Sequence, residues 1–241
     1  MIVLITGTTS GIGKLLAEHY LKDSNNKVIG INNKHYEILK ANFKNYIIDI
    51  STHQEIYKLI EDLIKINEVP DIFFLNAGIN YRDYTNYLDI EKFKDVLDVN
   101  LYGVLNFISA VTKYELHGKK IISISSTSNI VPNPSNIGYY ISKISLKLVF
   151  SLLEIIDSGN MYKVIILGPV KTNIMRNYES PTGIKKILIN ILSIHSSIAV
   201  KKILKFSNNN KKILYYPISS TVFYILISFI IKLLPSFKKY L

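Results

Sequence analysis

The opening stretch, Met1 to Leu21, constrains this chain more than any other. Ile2-Val3-Leu4-Ile5 is a short apolar run with β-branched residues, the composition of a strand buried on both faces. It breaks at Thr6-Gly7-Thr8-Thr9-Ser10-Gly11-Ile12-Gly13 and resumes as Leu15, Leu16, Ala17, Tyr20 and Leu21, which have helical spacing. A strand, a glycine-rich turn and a helix make a phosphate cradle. Glycine lets the backbone come close to an anion, and the helix N-terminus offers free N–H groups with a partial positive charge. A tight turn that binds nothing carries the same pattern, so the rest of the chain decides.

A length of 241 residues suits one α/β domain with a full-sized core. No cysteine is present, which excludes a disulfide framework and a thiolate metal site and leaves the redox compartment open. With the first strand expected from residue 2, neither a cleavable signal nor an N-terminal anchor is expected. The net charge of +11 is unevenly spread. Residues 1–170 are balanced, whereas residues 171–241 carry eleven Lys and one Arg against the single acid Glu179. The same segment is the most apolar part of the chain, which points to an anionic membrane surface rather than nucleic acid. A solvated lysine-rich face is the plainer alternative.

Strand-like and helix-like segments then alternate without an internal repeat, which predicts a single doubly wound, Rossmann-type parallel sheet with helices on both faces. Lys27–Ile31 reads as the second strand. In dinucleotide-binding units its end carries either an acid for the adenosine ribose or a neutral or basic set that accepts a 2′-phosphate. Asn32 stands there, followed by Asn33 and Lys34, so NADP(H) is favoured over NAD(H). A short helix is expected from Tyr36 to Asn42, then a strand from Asn45 to Ile48 leading to Asp49 and Ile50 at the crevice edge. Thr52 and Glu55 have the spacing of a capping box for a helix that runs to about Asn67.

Ile72–Leu75 is a fourth strand ending in Asn76-Ala77-Gly78, where small residues let a flat group lie against the backbone and an amide can tie strands together. After a polar, aromatic loop (81–87), a long helix is expected from Asp89 to about Tyr114. It contains Asn100 and Gly103, poor helix formers in mid-helix. A strand from Lys120 to Ile124 runs into Ser125 and Ser126. Tyr139 and Lys143 then open a helix at i and i+4, on one face. A strand from Lys163 to Leu167 ends in Gly168-Pro169-Val170-Lys171-Thr172.

These elements resemble the classical short-chain dehydrogenase/reductase family over roughly residues 1–172, and the whole chain has the length of a family member. The resemblance rests on Thr6-Gly7-x-x-x-Gly11-Ile12-Gly13, Asp49-Ile50, Asn76-Ala77-Gly78, Asn100, Ser126, Tyr139-x-x-x-Lys143 and Gly168-Pro169-Val170-x-Thr172 in this order. It implies an NAD(P)(H)-dependent enzyme that interconverts an alcohol and a carbonyl by hydride transfer. Tyr139 is the implied general acid/base, Ser126 holds the carbonyl oxygen, Lys143 favours the phenolate and bonds the nicotinamide ribose, and Asn100 positions a relay water. Thr9 and Ser10 join the implied cofactor contacts in the glycine loop. Two departures bear on the nicotinamide pocket: Leu167 where the family has proline, and Asn129 where it commonly has glycine. A phenol serves as proton donor when its pKa falls towards neutrality, and a Lys ammonium one helical turn away supplies the charge that lowers it.

Each of these residues has an ordinary reading. Tyrosine is abundant, at 17, so a Tyr four residues before a Lys arises easily. A serine after a strand is usually a cap or turn residue. Their coincidence with the glycine loop carries the weight. The five histidines show no ligand spacing, and no metal is expected.

Residues 173–206 form the expected substrate lid region, with Ile184, Ile187, Leu188, Ile191 and Leu192 at helical spacing. An apolar lid fits an apolar or amphiphilic substrate, and packing of the stripe on the domain fits equally well. Residues 217–241 form an apolar, basic extension. Its run from Thr221 to Ile231 is short for a bilayer, which takes about 20 residues. The expected partners are therefore a small-molecule alcohol or carbonyl, a second copy of the chain, and an anionic membrane touched peripherally; the expected location is cytoplasmic. Two other classes stay open: a catalytically idle dinucleotide-binding sensor or scaffold, and an epimerase-like enzyme acting on nucleotide sugars.

Overall fold

Most strands of this chain are followed by an amphipathic helical segment, so the strands line up in parallel, joined by crossovers rather than by tight hairpins. The computed structural model of the chain describes residues 1–36, 38–81, 88–127, 130, 136–172 and 190–233, with the backbone alone at Ile231 and Lys232. The elements run in the order β1 (Ile2–Thr6), α1 (Gly11–Tyr20), β2 (Lys27–Asn32), β3 (Phe43–Ile47), α2 (His53–Lys65), β4 (Ile72–Leu75) and α3 (Ile90–Leu97). A π-helical turn (Asp98–Tyr102), α4 (Gly103–Lys113), β5 (Lys120–Ser126), α5 (Ile137–Ile156) and β6 (Met161–Leu167) follow. The last elements are β7 (Val170–Lys171), β8 (Ile194–His195), α6 (Ser196–Ser207), β9 (Ile213–Tyr216) and α7 (Ile218–Leu233).

Seven strands make one parallel sheet in the order β3-β2-β1-β4-β5-β6-β9. The order reverses between β1 and β4, and a doubly wound sheet leaves a crevice beyond the carboxyl ends of the strands at that point. Alternation along the strands builds two cores. Leu4, Phe73, Ile121 and Val164 face α2, α4 and α5, while Val3, Ile5, Phe74, Ile122 and Ile165 face α1 and α6. Strands packed on both faces explain the uninterrupted apolar runs in the sequence.

Three expectations are corrected. No helix forms from Tyr36 to Asn42 among the described residues. β3 starts earlier than expected, with Phe43 in register beside Val28, and the segment before it is used up in turns such as Phe43 N–H to the Lys40 carbonyl at 3.0 Å. Thr52 sits at the N-cap of α2 but makes no side-chain cap bond. Glu55 reaches past it to accept from the Asp49 N–H at 3.1 Å. The single long helix after residue 89 is divided by the π-helical turn. Asp89 caps α3 by accepting from the Lys92 N–H, and α4 resumes at Gly103. The lid stripe from Ile184 to Leu188 and most of the loop at 81–87 lie outside the described residues, as does Asn129.

Candidate active site

The glycine loop closes on itself through contacts only glycine permits. Gly7 and Gly11 have φ of +75° and +57°. A Cβ on Gly13 would stand 2.0 Å from the Gly7 carbonyl oxygen, so the first turn of α1 presses directly on the loop backbone. Thr9 is exposed, Ser10 and Ile12 are half-buried, and Ser10 is the N-cap of α1 with an extended backbone. Asn76 ties this loop to β4: its Nδ2 donates to the Thr6 carbonyl at 3.0 Å, and Thr6 Oγ1 accepts from the N–H groups of Asn76 and Ala77, both at 2.9 Å. Gly7, Gly11 and Gly13 thus place backbone without side chains of its own at the N-terminus of α1, an arrangement suited to an anion.

Asn32 faces this loop rather than open solvent. It is buried, its Oδ1 accepts from the Thr8 N–H at 2.8 Å, and its Nδ2 donates to Thr8 Oγ1 at 2.8 Å and to Asn45 Oδ1 at 2.6 Å. Asn33 and Lys34, next along the chain, are exposed. Asp49 is exposed too, and its carboxylate accepts from the N–H and hydroxyl of Ser51. Ile50 is buried against Gly103, where an added Cβ would meet its Cδ1 at 2.8 Å.

The polar residues gather at the carboxyl ends of β4, β5 and β6. Asn100 lies in the π-helical turn, fully buried, with Oδ1 accepting from the Ile79 N–H and Nδ2 donating to the Ile79 carbonyl, each at 2.8 Å. It also donates to Ser142 Oγ at 3.3 Å. Turns of this kind inside a helix often mark functional positions, because they re-aim one side chain. Gly78 sits so close that a Cβ there would stand 3.0 Å from Asn100 Oδ1 and 3.7 Å from Lys143 Nζ.

Two contacts fix α5. Gly138 lets its first turn pack on Val96 and Phe93 of α3, and Ser125 Oγ donates to the Lys143 carbonyl at 3.0 Å. Tyr139 and Ser126 are hydrogen-bonded through their hydroxyls. Lys143 is buried, its Nζ donating to the Ile124 carbonyl at 3.0 Å and standing 5.5 Å from the centre of the Tyr139 ring. Electrostatics depart from the simple expectation of a lowered phenol. Burial pushes the Tyr139 pKa up, offset only in part by the Ser126 hydroxyl, while burial lowers Lys143 to about 8. Desolvation is the largest cause of both shifts.

Leu167 continues β6 opposite Ser126 of β5 and Tyr216 of β9, so the ladder reaches the edge of the site where proline would have removed a donor. Gly168 and Val170 beyond it are buried, and Thr172 touches the glycine loop, its Cγ2 lying 3.4 Å from the position of a Cβ on Gly11. Sequence reading passed over Thr6, Asn45, Ser125 and Ser142, which hold the site together. Thr6 opens the glycine motif and Ser125 precedes Ser126, though neither was given a role, and nothing local marks Asn45, which reaches Asn32 only through the β2–β3 pairing. Among the described residues no group of His, Asp and Glu side chains gathers as a metal site.

A parallel sheet in this order with a glycine cradle at its switch point defines the dinucleotide-binding class of α/β proteins. Residues 1–182 match the short chain dehydrogenase family model, and the chain belongs to that family of NAD(P)-dependent oxidoreductases. Among its relatives, glucose 1-dehydrogenase 2 of Bacillus subtilis is 25% identical over 184 residues, covering 70% of this chain and 71% of that one. The 3-ketodihydrosphingosine reductase of Bacteroides thetaiotaomicron is 27% identical over 188 residues, covering 76% and 69%. The fold is shared with 4-hydroxyisoleucine dehydrogenase complexed with NADH, at TM-score 0.75, 20% identity and coverage of 89% and 96%. It is also shared with the closed form of serine dehydrogenase complexed with NADP+, at TM-score 0.76, 19% identity and coverage of 91% and 96%.

Proposed function

We propose that this oxidoreductase interconverts an alcohol and a carbonyl on an apolar or amphiphilic small molecule, using Tyr139 as general acid/base and NADP(H) in preference to NAD(H). The observation that carries the reading is the convergence of Ser126, Tyr139 and Lys143 at one end of the sheet, with the two hydroxyls bonded and the ammonium beside the ring. The same convergence speaks against an idle binding module, which has no use for a buried lysine below a phenol. The glycine cradle, with Gly7, Gly11, Gly13 and Gly78 kept free of side chains, suits the cofactor, and its nicotinamide supplies or accepts the hydride.

In the reducing direction the Ser126 hydroxyl donates to the substrate oxygen and aligns it with Tyr139 Oη. The phenol gives up its proton to that oxygen as negative charge develops there, and the Lys143 ammonium stabilises the phenolate left behind. Asn100, locked on Ile79, keeps the turn next to Lys143 in place and is the residue to hold a relay water. Preference for NADP(H) is supported by the lack of a carboxylate at Asn32 and by exposed Lys34 beside it. A substrate with an apolar body is supported by the Ile/Leu-rich lid sequence and by the relative named for 3-ketodihydrosphingosine reduction.

The same reading covers partners. Self-association is supported by the exposed Leu148, Leu152 and Ile155 on one face of α5, and peripheral membrane contact by the segment 217–241. The test is a panel of carbonyl substrates graded from short aldehydes to long-chain ketones, followed by loss of NADPH absorbance. Turnover that rises with chain length supports the reading, and activity confined to free sugars opposes its substrate class.

A further inference from the structure

Helix α7 meets the protein on one side and leaves an apolar side uncovered. Ser220 and Thr221 are buried, Thr221 bonds back to the Pro217 carbonyl through both N–H and Oγ1, and Phe223, Tyr224 and Ile227 are half-buried on the same side. Its first turn is pressed onto the end of β6: a Cβ on Gly168 would lie 2.4 Å from Ser220 Oγ and 2.8 Å from Ser220 Cβ. The opposite side presents Ile218, Val222, Ile225, Leu226, Phe229 and Leu233 at i, i+4, i+7, i+8, i+11 and i+15. Ile225 is 53% exposed, Leu226 56% and Phe229 61%. Soluble chains rarely leave such a continuous stripe bare.

From this we infer that the outer face of α7 lies in the plane of an anionic membrane, beside the mouth of the active site, and that the substrate is an amphiphile drawn from that membrane. The substrate part of the inference rests on the oxidoreductase reading above; the docking part does not. Three observations bear on lipid as the occupant. The described span of the helix is 16 residues, about 24 Å, shorter than the roughly 30 Å hydrocarbon layer, and among the described residues no helix is long and apolar enough to cross a membrane. An apolar helix of this length lies in the interface rather than through it.

The second is charge. Beyond residue 170 the described residues include exposed Lys171, Lys201, Lys202, Lys205 and Lys211 and no acid, a charge that an anionic surface neutralises and a second copy repeats. Lys202 stands at the root of the helix, its Nζ 5.3 Å from the ring centre of Tyr216, and Lys201, Lys205 and Lys211 are exposed. The third is position. The close packing of α7 on Gly168 sets the helix at the carboxyl edge of the sheet, the edge that also carries Ser126 and the glycine loop. An amphiphile leaving the bilayer along α7 arrives there without crossing water.

The experiment is co-sedimentation of the full chain with phosphatidylcholine vesicles, plain or containing about a quarter phosphatidylglycerol, measured without cofactor or substrate. Binding is expected with the anionic vesicles and is expected to fall steeply in high salt, with each lysine near the surface worth about fivefold in partitioning. Phe229→Glu is expected to lower partitioning at least tenfold at unchanged melting temperature, since the side chain is exposed, and Lys201→Glu with Lys202→Glu to remove the salt-sensitive part. On a long-chain carbonyl presented in vesicles Phe229→Glu is expected to raise KM, and on a short soluble carbonyl to leave it unchanged. Failure of the wild type to bind anionic vesicles overturns the inference. So does a wild-type dimer that Phe229→Glu dissociates, because a second copy then covers the face. Vesicle binding with no turnover on any carbonyl leaves docking standing and removes the enzymatic reading.

Discussion

The Asn100 side chain holds both backbone groups of Ile79, accepting from its N–H and donating to its carbonyl at 2.8 Å each. One amide thereby fastens the π-helical turn to the chain leaving β4, directly beside Gly78 and Lys143. Asn100 itself is fully buried, so its amide has no water to take in place of Ile79.

Asn100→Ala is therefore expected to cost about 1–3 kcal/mol of stability and to lower turnover more than substrate affinity. Chemical denaturation and steady-state kinetics check the two parts separately. Unchanged stability would mean that the amide does not hold the turn.

Gly13→Ala tests the cradle. The added methyl has nowhere to go with the Gly7 carbonyl 2.0 Å away, so loop and helix must part. Overpacking of this kind costs about 1–3 kcal/mol, and here it also spoils the anion site. Cofactor affinity, measured by fluorescence titration, should fall by more than about tenfold.

Asn32→Asp should weaken NADPH binding relative to NADH by about tenfold, by placing a carboxylate beside the glycine loop and removing the donors to Thr8 and Asn45. Equal or tighter binding of NADH by the unmodified protein would reverse the assigned preference.

Two buried lysines make stability depend on pH with a definite sign. Burial lowers Lys143 and Lys163 from 10.5 to about 8 each; Lys163 also carries the repulsion of Lys120 and Lys212, while donating to the Phe206 and Asn209 carbonyls at the end of α6. Between these values the unfolded chain holds more protons than the folded one, so stability rises with pH from about 8 towards 10.5 and is lowest below 8. Tyr20 and Tyr139, raised from 10.0 by burial, act with the opposite sign above that value. Thermal melts should therefore show a midpoint that climbs between pH 8 and about 9.5, with a smaller climb in Lys163→Met.

Much of the fold was legible in the sequence, and for a physical reason. Apolar strands buried on both faces, such as Ile72–Leu75, and the glycines of the first loop answer to local rules that a sequence displays. The poor helix chemistry around Asn100 and Gly103 likewise marked the place where the helix departs from α geometry. Long-range relations were not legible. Thr52 with Glu55 spells a capping box, yet Glu55 answers to the Asp49 N–H instead. Tyr36 to Asn42 looked helical until the pairing of Phe43 with Val28 took up the chain. Asn45 meets Asn32 only because the sheet places β3 beside β2. The direction of the Tyr139 shift depended on burial, which the i, i+4 spacing of Tyr139 and Lys143 does not encode.

In the proposed mechanism Tyr139 delivers the proton that accompanies hydride transfer. Tyr139→Phe is to be compared with the wild type, following NADPH oxidation on a carbonyl substrate alongside NADPH affinity and melting temperature. A loss in kcat of about 10²–10⁴-fold is expected with affinity and fold retained, because the change removes one hydroxyl and its bond to Ser126. Near-wild-type turnover by Tyr139→Phe would contradict the mechanism.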